Sequence, residues 1–599
     1  MPDPRPGLTR KELGMSTALN DTTIATLAPE LDALAAEAMA EWKVPAVTLA
    51  VVQNGETALL KAWGQRDAEA GLAATPQTQF LICSITKTFT ATALALLVDE
   101  GRLDWSRPVR DYIPEFRLRD PVATERVTVR DLLCHHSGLP RHDWIWIPGD
   151  LSRTEMMTAL RHLEPARDIR TEFQYNNLAY NAAGIVAERI SGQSYEEFIR
   201  ARLTDKLQMP VGFSAQDFAA AEDAAVPYLV ERDDERRRSK FFPIPTTAAG
   251  AIVTSIAAIA NWMKFLLAEG EFEGRRLLSA TLIRQMQAPR VFAGAPEFRE
   301  LGPSHYGLGF GSFTYRGERA VGHSGGWLGW STLMRLIPER NIGVAVFTNT
   351  GGNPVPAILI NRILDHACGN APVPWLDRLR DMRRKTLAQW NSDVAARPAE
   401  RKPNTKPSHD LADFCGAYEH PAYGRVLITL AGDNLHWAWR STKASLSHLH
   451  YDSFQLPYIF GELNPDELVI SFATDRDGNI ASLSAQLEAL VADIVFTRAP
   501  DGDCMDPKFR AACIGHYTRG DATQVVAQDA EGQLTLKTPL APLYRLRPYQ
   551  GATFGIVDLD GYRVEFRRGV AGTVDEFVWH TPNGPFIAKR ADGSPTADQ

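Results

Sequence analysis

The sequence predicts an α+β domain, an antiparallel sheet with a helical cluster, followed by two small antiparallel β-barrel domains. Three observations predict it: strand-like runs at both ends of the first part of the chain with helical patterning between them, a Pro-rich break beyond Ala395, and an internal repeat after that break. At 599 residues the chain exceeds one ordinary core, and 44% hydrophobic with 23% charged residues describes a globular protein rather than a disordered one.

Met1 to Asn20 is rich in Pro, Lys and Arg and lacks an apolar h-region. Residues 1–25 therefore read as a disordered N-terminus without a secretory signal, and a cytoplasmic location is expected, with periplasm and secretion left open. The first strand runs Val47 to Gln53; Asn54-Gly55 suits a type I′ turn, whose two central residues need positive φ, and Glu56 to Trp63 returns. An apolar run, Leu81-Ile82-Cys83, then passes into a long apolar helix starting near Ser84. Leu178 to Ile190 has helical periodicity stopped by Ser191-Gly192. The most apolar stretch, Ala248 to Ala268, contains Asn261 and Lys264 and reads as a buried or amphipathic helix, not a membrane span. Ser331 to Pro338, a turn at Arg340-Asn341 and Ile342 to Phe347 restore the strand pattern, so both ends of a domain at 26–372 are expected to build one sheet.

Trp375 to Trp390 reads as a charged helix, and Pro398, Pro403 and Pro407 mark a linker, together spanning 373–408. Beyond it Gly416-Ala417-Tyr418 and Gly432-Asp433-Asn434-Leu435 recur 99 residues later as Gly515-His516-Tyr517 and Gly532-Gln533-Leu534. Both units also close alike, on Phe496-Thr497-Arg498 and on Phe586 to Arg590, which places barrels at 409–499 and 507–592.

A net charge of -8 argues against a nucleic-acid partner, and the one dense basic run, Arg236-Arg237-Arg238, comes after an acidic stretch as a solvated loop would. Cys83, Cys134, Cys368, Cys415, Cys504 and Cys513 show no Cys-x-x-Cys spacing, hence neither a zinc site nor a disulfide framework. No metal or cofactor is expected; the expected partner is a small-molecule or short-peptide substrate, with a homodimer left open.

Ser84 is the only serine three residues ahead of a lysine, Lys87. On a helix the two share a face, and a buried lysine that has lost its charge can take a serine proton. Three later segments could complete acyl transfer. In Tyr175-Asn176-Asn177 a tyrosine near a cationic lysine, held partly ionised, can shuttle the proton and Asn177 can bind a carbonyl, although Asn177 serves equally well as a helix N-cap and Tyr175 as core. In Gly322-His323-Ser324-Gly325-Gly326, glycines on an edge strand let a substrate backbone approach, and the Gly326 amide can pair with that of Ser84 as an oxyanion hole. The same segment spells Gly-x-Ser-x-Gly, which would make Ser324 the nucleophile, but that elbow needs a helix directly after it where a hairpin is expected. Cys134-His135-His136 has no second ligand pair and reads as a structural loop, and Cys83 as a small buried side chain.

Ser84-x-x-Lys87, Tyr175-x-Asn177 and His323-Ser324-Gly325, in that order, resemble the three motifs of the penicillin-recognising serine hydrolases: β-lactamases, DD-peptidases, class C-like esterases and D-aminopeptidases. His323 stands where many relatives carry the lysine of Lys-Thr-Gly. Ile82-Cys83-Ser84, Val129-Arg130-Asp131-Leu132, Ser137-Gly138-Leu139 and Gly329-Trp330 are most similar to the D-aminopeptidase branch, which joins a β-lactamase/transpeptidase-like domain to two barrels. The resemblance implies Ser84, Lys87, Tyr175 and His323 as the catalytic set. It implies Asn177, Ser324, Gly325 and Gly326 as substrate-binding, with the amides of Ser84 and Gly326 as oxyanion hole. It further implies a D-stereospecific aminopeptidase or amidase, with a carboxylesterase as alternative and a non-catalytic penicillin-binding-like receptor as second alternative. One departure bears on amine recognition: the D-aminopeptidase loop that reads the free amine corresponds here to a short hairpin, Asp558 to Tyr562.

Overall fold

The computed structural model describes residues 24–230, 235–396, 401–457, 468–570 and 572–591. The expected disordered N-terminus lies almost wholly outside them, but Ile24, at its end, is already fully buried in a 3-10 turn, Ile24–Leu27. The described residues divide into two compact units, 24–396 and 401–591.

The first unit is built on a nine-stranded antiparallel sheet. Its strands in chain order are β1 (Ala46–Gln53), β2 (Glu56–Asp67), β3 (Leu72–Ala73), β4 (Val291–Gly294), β5 (Ser304–Tyr306), β6 (Gly311–Tyr315), β7 (Glu318–Trp327), β8 (Trp330–Ile337) and β9 (Ile342–Thr348), and in space β4-β5-β6-β7-β8-β9-β1-β2-β3. The first and last strands of the domain pair, Val47 opposite Thr348, so the two chain ends meet as the sequence expects. Asn54 and Gly55 both have positive φ, 51° and 84°, which joins β1 to β2 through the expected turn. β1 lacks apolar–polar alternation because both its faces are covered. Val47, Leu49 and Val51 pack with helices α1 (Ala28–Glu41), α5 (Val355–Ala367) and α6 (Trp375–Ala396). Trp375, Leu376 and Leu379 bury their side chains in that layer, which ties the start of the charged helix to the core.

The other face carries the helical cluster: α2 (Thr86–Asp99), α3 (Asn177–Ser191) and α4 (Ile256–Leu267). Every residue of α2 from Thr86 to Leu97 is buried, and its polar members are satisfied internally, Thr88 donating to Ile85 O and Thr92 to Thr88 O. Gly192, at φ 77°, ends α3 as read from the sequence. Arg236–Arg238 corrects the loop reading: it forms a short exposed strand against Tyr228–Val230, with Arg238 paired to Asp67 and Glu69. No helix among the described residues is long and apolar enough to cross a membrane.

The second unit holds two antiparallel meanders. One is a nine-stranded sheet whose end strands, Thr442–Ser445 and Ser447–His450, adjoin in sequence through buried Leu446, a nearly closed barrel. The other, Gly515 to Arg590, is a closed eight-stranded barrel. The repeat seen in the sequence is a shared closure. Tyr418 and Tyr517 are fully buried and donate to Phe414 O and Cys513 O, each at 2.8 Å, and each stands opposite an arginine on the last strand, Arg498 or Arg590. Arg498 donates to Asp413 O, Cys415 O and Ile480 O, and Arg590 to Ala512 O, Ile514 O and Val574 O. Arg498→Ala is therefore expected to destabilise the second unit by on the order of 2 kcal/mol, read as a denaturant midpoint shift, because three backbone carbonyls, that of buried Ile480 among them, lose a charged donor.

Candidate active site

Ser84 lies in a 3-10 turn, Cys83–Ile85, that feeds directly into α2. The turn is strained and clamped. Cys83 has φ 50°, a left-handed conformation that costs a non-glycine residue energy and persists only where the surroundings impose it. They do so from two sides: Ile82 N donates to Ile252 O at 2.9 Å, and Thr332 Oγ1 of β8 donates to Ile82 O at 2.9 Å. The Cys83 thiol is fully buried, and burial raises its pKa, so it stays protonated and is no nucleophile.

Helical spacing brings Lys87 under Ser84, Nζ to Oγ 3.0 Å. Nζ also lies 2.8 Å from Asn177 Oδ1 and 2.8 Å from Ala249 O. Full burial, and secondarily repulsion from Arg141, hold the Lys87 pKa well below its ordinary value. A neutral amine has two N–H donors and one lone pair. Once the amine is neutral, the carbonyls of Asn177 and Ala249, which can only accept, take both donors and leave the lone pair to receive the Ser84 hydroxyl proton. The Tyr175 hydroxyl donates to Ser84 Oγ at 2.9 Å, and burial pushes its pKa up to about 12. Burial thus shifts the pair toward a lysine that can accept a proton, as the Ser84–Lys87 spacing suggests, and away from a partly ionised tyrosine.

Asn176, not Asn177, caps α3, its side chain accepting from Ala179 N at 2.7 Å. That frees Asn177, at the first helical position, to bridge Lys87 and Asp143, donating to Asp143 Oδ1 at 3.3 Å. Asp143 also accepts from Trp146 Nε1 at 2.7 Å and from Arg141 Nε at 2.5 Å. Buried His135 accepts from Asn176 N at 3.1 Å through Nδ1, which puts its proton on Nε2, and its ring lies 4.3 Å from that of Tyr175. His135, of the histidine pair read as a structural loop, thus buttresses the Tyr175-Asn177 segment.

β7 supplies the opposite wall. β6 pairs with β7 only as far as Gly322, so from His323 to Trp327 the strand has a ladder partner on one side alone, β8, among the described residues. The face of β7 that carries Gly325 approaches the Ser84 turn. Gly325 is required there: a Cβ would sit 2.4 Å from Ile82 O and 2.8 Å from Cys83 Cβ. Gly326 faces open space. Gly325→Ala is expected to push β7 off the turn and lower kcat by about 10²-fold with the fold retained, checked by steady-state kinetics beside circular dichroism.

His323 is buried, donating from Nδ1 to Ser324 O at 2.5 Å and accepting at Nε2 from the Tyr306 hydroxyl at 2.7 Å. Burial, and then Lys87, pull its pKa down to about 3. With both nitrogens engaged and its ring 6.4 Å from that of Tyr175, it lines the site rather than taking a proton from Ser84. Ser324 is exposed on the opposite face of β7 from His323 and Gly325, and no helix comes directly after it, which removes the elbow reading. Among the described residues only Lys87 and Tyr175 hydrogen-bond Ser84 Oγ with their side chains. The arrangement can deprotonate one serine hydroxyl and return a proton beside it.

A family model described as Beta-lactamase matches residues 31–369, and one described as a domain of unknown function (DUF3471) matches 400–498. Unguisins hydrolase ungD' of Aspergillus campestris (strain IBT 28561) is 26% identical over 411 residues, 65% of this chain and 75% of that protein. Protein flp of Staphylococcus aureus (strain MW2) is 25% identical over 370 residues, 59% of this chain and 70% of its own. Among solved structures, the octameric penicillin-binding protein homologue from Pyrococcus abyssi superposes with a TM-score of 0.53 at 25% identity, covering 78% of this chain and 99% of that one.

Proposed function

The chain belongs to the beta-lactamase family of serine hydrolases, and from that premise we propose that it hydrolyses amide or peptide bonds through an acyl-enzyme at Ser84, as a D-stereospecific aminopeptidase or amidase. The observation that carries this reading is the convergence of Lys87 Nζ, at 3.0 Å, and the Tyr175 hydroxyl, at 2.9 Å, on Ser84 Oγ. The substrate carbonyl lies between the amides of Ser84 and Gly326, which stabilise the developing oxyanion. Lys87 takes the Ser84 proton as Oγ bonds the carbonyl carbon. Tyr175 gives its proton to the departing amine and is reprotonated from the Lys87 ammonium, leaving an ester on Ser84 and a neutral lysine. Water then attacks the ester by the same path in reverse, so no net proton is lost. Asn177 and His323 line the site, and the similar protein named as an unguisins hydrolase is consistent with a hydrolytic reaction.

A carboxylesterase using the same groups is the second reading. It is favoured by the tightness of the 553–568 hairpin, whose strands Thr553–Ile556 and Leu559–Arg568 are joined by Val557 and Asp558 alone, where D-aminopeptidase carries a longer amine-reading loop. Rates on D- and L-alanine p-nitroanilides, p-nitrophenyl esters and nitrocefin separate the readings. Cleavage of the D-anilide over the L-anilide supports the first, ester cleavage alone the second, and no cleavage of any of them a non-catalytic receptor.

A further inference from the structure

Trp327 comes after Gly326 on β7, and strand alternation puts it on the same face as Gly325, the face that approaches the Ser84 turn. Across the cleft, Trp146 sits on the loop whose Asp143 holds Asn177. The two indoles meet at 5.0 Å between ring centroids, tilted by 33°. Both are buried, and each is fixed by its N–H, Trp146 to Asp143 Oδ1 at 2.7 Å and Trp327 to Phe242 O at 2.9 Å. The pair therefore spans from the sheet edge to the helical side and closes one end of the cleft with rigid, anchored aromatic surface.

Pairing geometry decides which end it closes. A substrate backbone added antiparallel to the free edge at His323–Trp327, with its scissile carbonyl accepting from Gly326 N, sets its acyl residue opposite Gly326. In an antiparallel pair, any residue N-terminal to the acyl residue runs toward Trp327 and beyond, and the leaving group runs toward His323. The leaving-group end is thus lined by neutral polar His323, and the acyl end by the two indoles.

We propose that the Trp146–Trp327 pair is an acyl-length barrier: the site takes a single short acyl unit, one terminal residue in a peptide or a short acid in an ester, and rejects substrates extended on that side. This rests on the acyl-enzyme reading above and names its substrate class as exo-acting.

The test compares kcat/KM for p-nitrophenyl acetate and octanoate, and for D-alanine and glycyl-D-alanine p-nitroanilides, in the wild type, Trp327→Ala, Trp146→Ala and Trp327→Phe. The labelling rates of Ser84 by ethyl- and octyl-chain fluorophosphonates are measured by mass spectrometry alongside. The wild type should favour the shorter member of each pair by at least about 10-fold, and Trp327→Ala should raise the long-to-short ratio by about 10-fold or more. Trp327→Phe, which keeps an aromatic wall, should hold the wild-type ratio. A wild type indifferent to length, or ratios unmoved in both alanine variants, overturns the barrier even where D-anilides are cleaved. A ratio shift in the esters with no anilide cleaved keeps the barrier and removes the amidase reading. Absence of any labelling and any turnover overturns both. Should Trp327→Ala not fold, Trp146→Ala and the wild-type length preference still decide.

Discussion

Ser84→Ala is expected to lower kcat by about 10⁴-fold or more, to the level left by binding and oxyanion stabilisation alone. The loss should be this large because nothing nearby can substitute for the hydroxyl. The Cys83 thiol is buried and kept protonated, and Ser324 points from the other face of β7. The variant should fold, since Ser84 is only part-buried and α2 is held by its apolar surroundings. A fluorophosphonate adduct should map to Ser84 in the wild type and be absent in the variant. An adduct on Ser324, or undiminished turnover, would sink the assignment.

Much of this site was legible before the fold, and the part that was not has a common physical reason. Side-chain chemistry announces itself in sequence: Ser84 and Lys87 at helical spacing, Tyr175 and Asn177 ahead of α3, glycines at 325 and 326 where a strand must come close. Backbone partners do not. The Ala249 carbonyl that takes one Lys87 donor could belong to any residue, and only packing of the 247–252 segment against the Ser84 turn brings it there. Asn176 and Asn177 are chemically identical, so which one caps α3 and which one faces Lys87 is decided by helical register. Asp143, Trp146 and Tyr306 sit in segments without a motif and acquire a role only through neighbours far along the chain. Likewise the repeat of Gly416 and Gly515 was readable, while the difference between a nearly closed nine-stranded sheet and a closed eight-stranded barrel depends on pairings at the sheet ends. How far the Lys87 pKa falls has a related cause: it depends on burial, which residue type alone does not encode.

The lowered Lys87 pKa yields the second large effect. Lys87→Arg is expected to lower kcat by about 10²–10⁴-fold, because arginine keeps the cation but stays protonated and cannot accept the Ser84 proton. If Lys87 served only as a fixed positive charge, arginine would retain most activity, so the substitution separates base from cation. The wild-type kcat/KM should fall on the acid side as Lys87 takes up a proton, with an apparent pKa below the ordinary lysine value, and His323 should not contribute that limb because its own pKa lies near about 3. Stability provides an independent reading with a definite sign. The folded-state pKa of Lys87 is lowered, so between it and the unfolded value near about 10.4 the unfolded chain binds more protons, and stability rises with pH across that window. Relative to Lys87→Met, which cannot titrate, the wild type should gain unfolding free energy as pH increases, by up to about 1.4 kcal/mol per pH unit, and the gain should stop once free lysine itself deprotonates. A difference that stays flat from neutral pH to about 10 would mean that Lys87 is protonated in the folded resting enzyme, and the lone pair aimed at Ser84 would not exist.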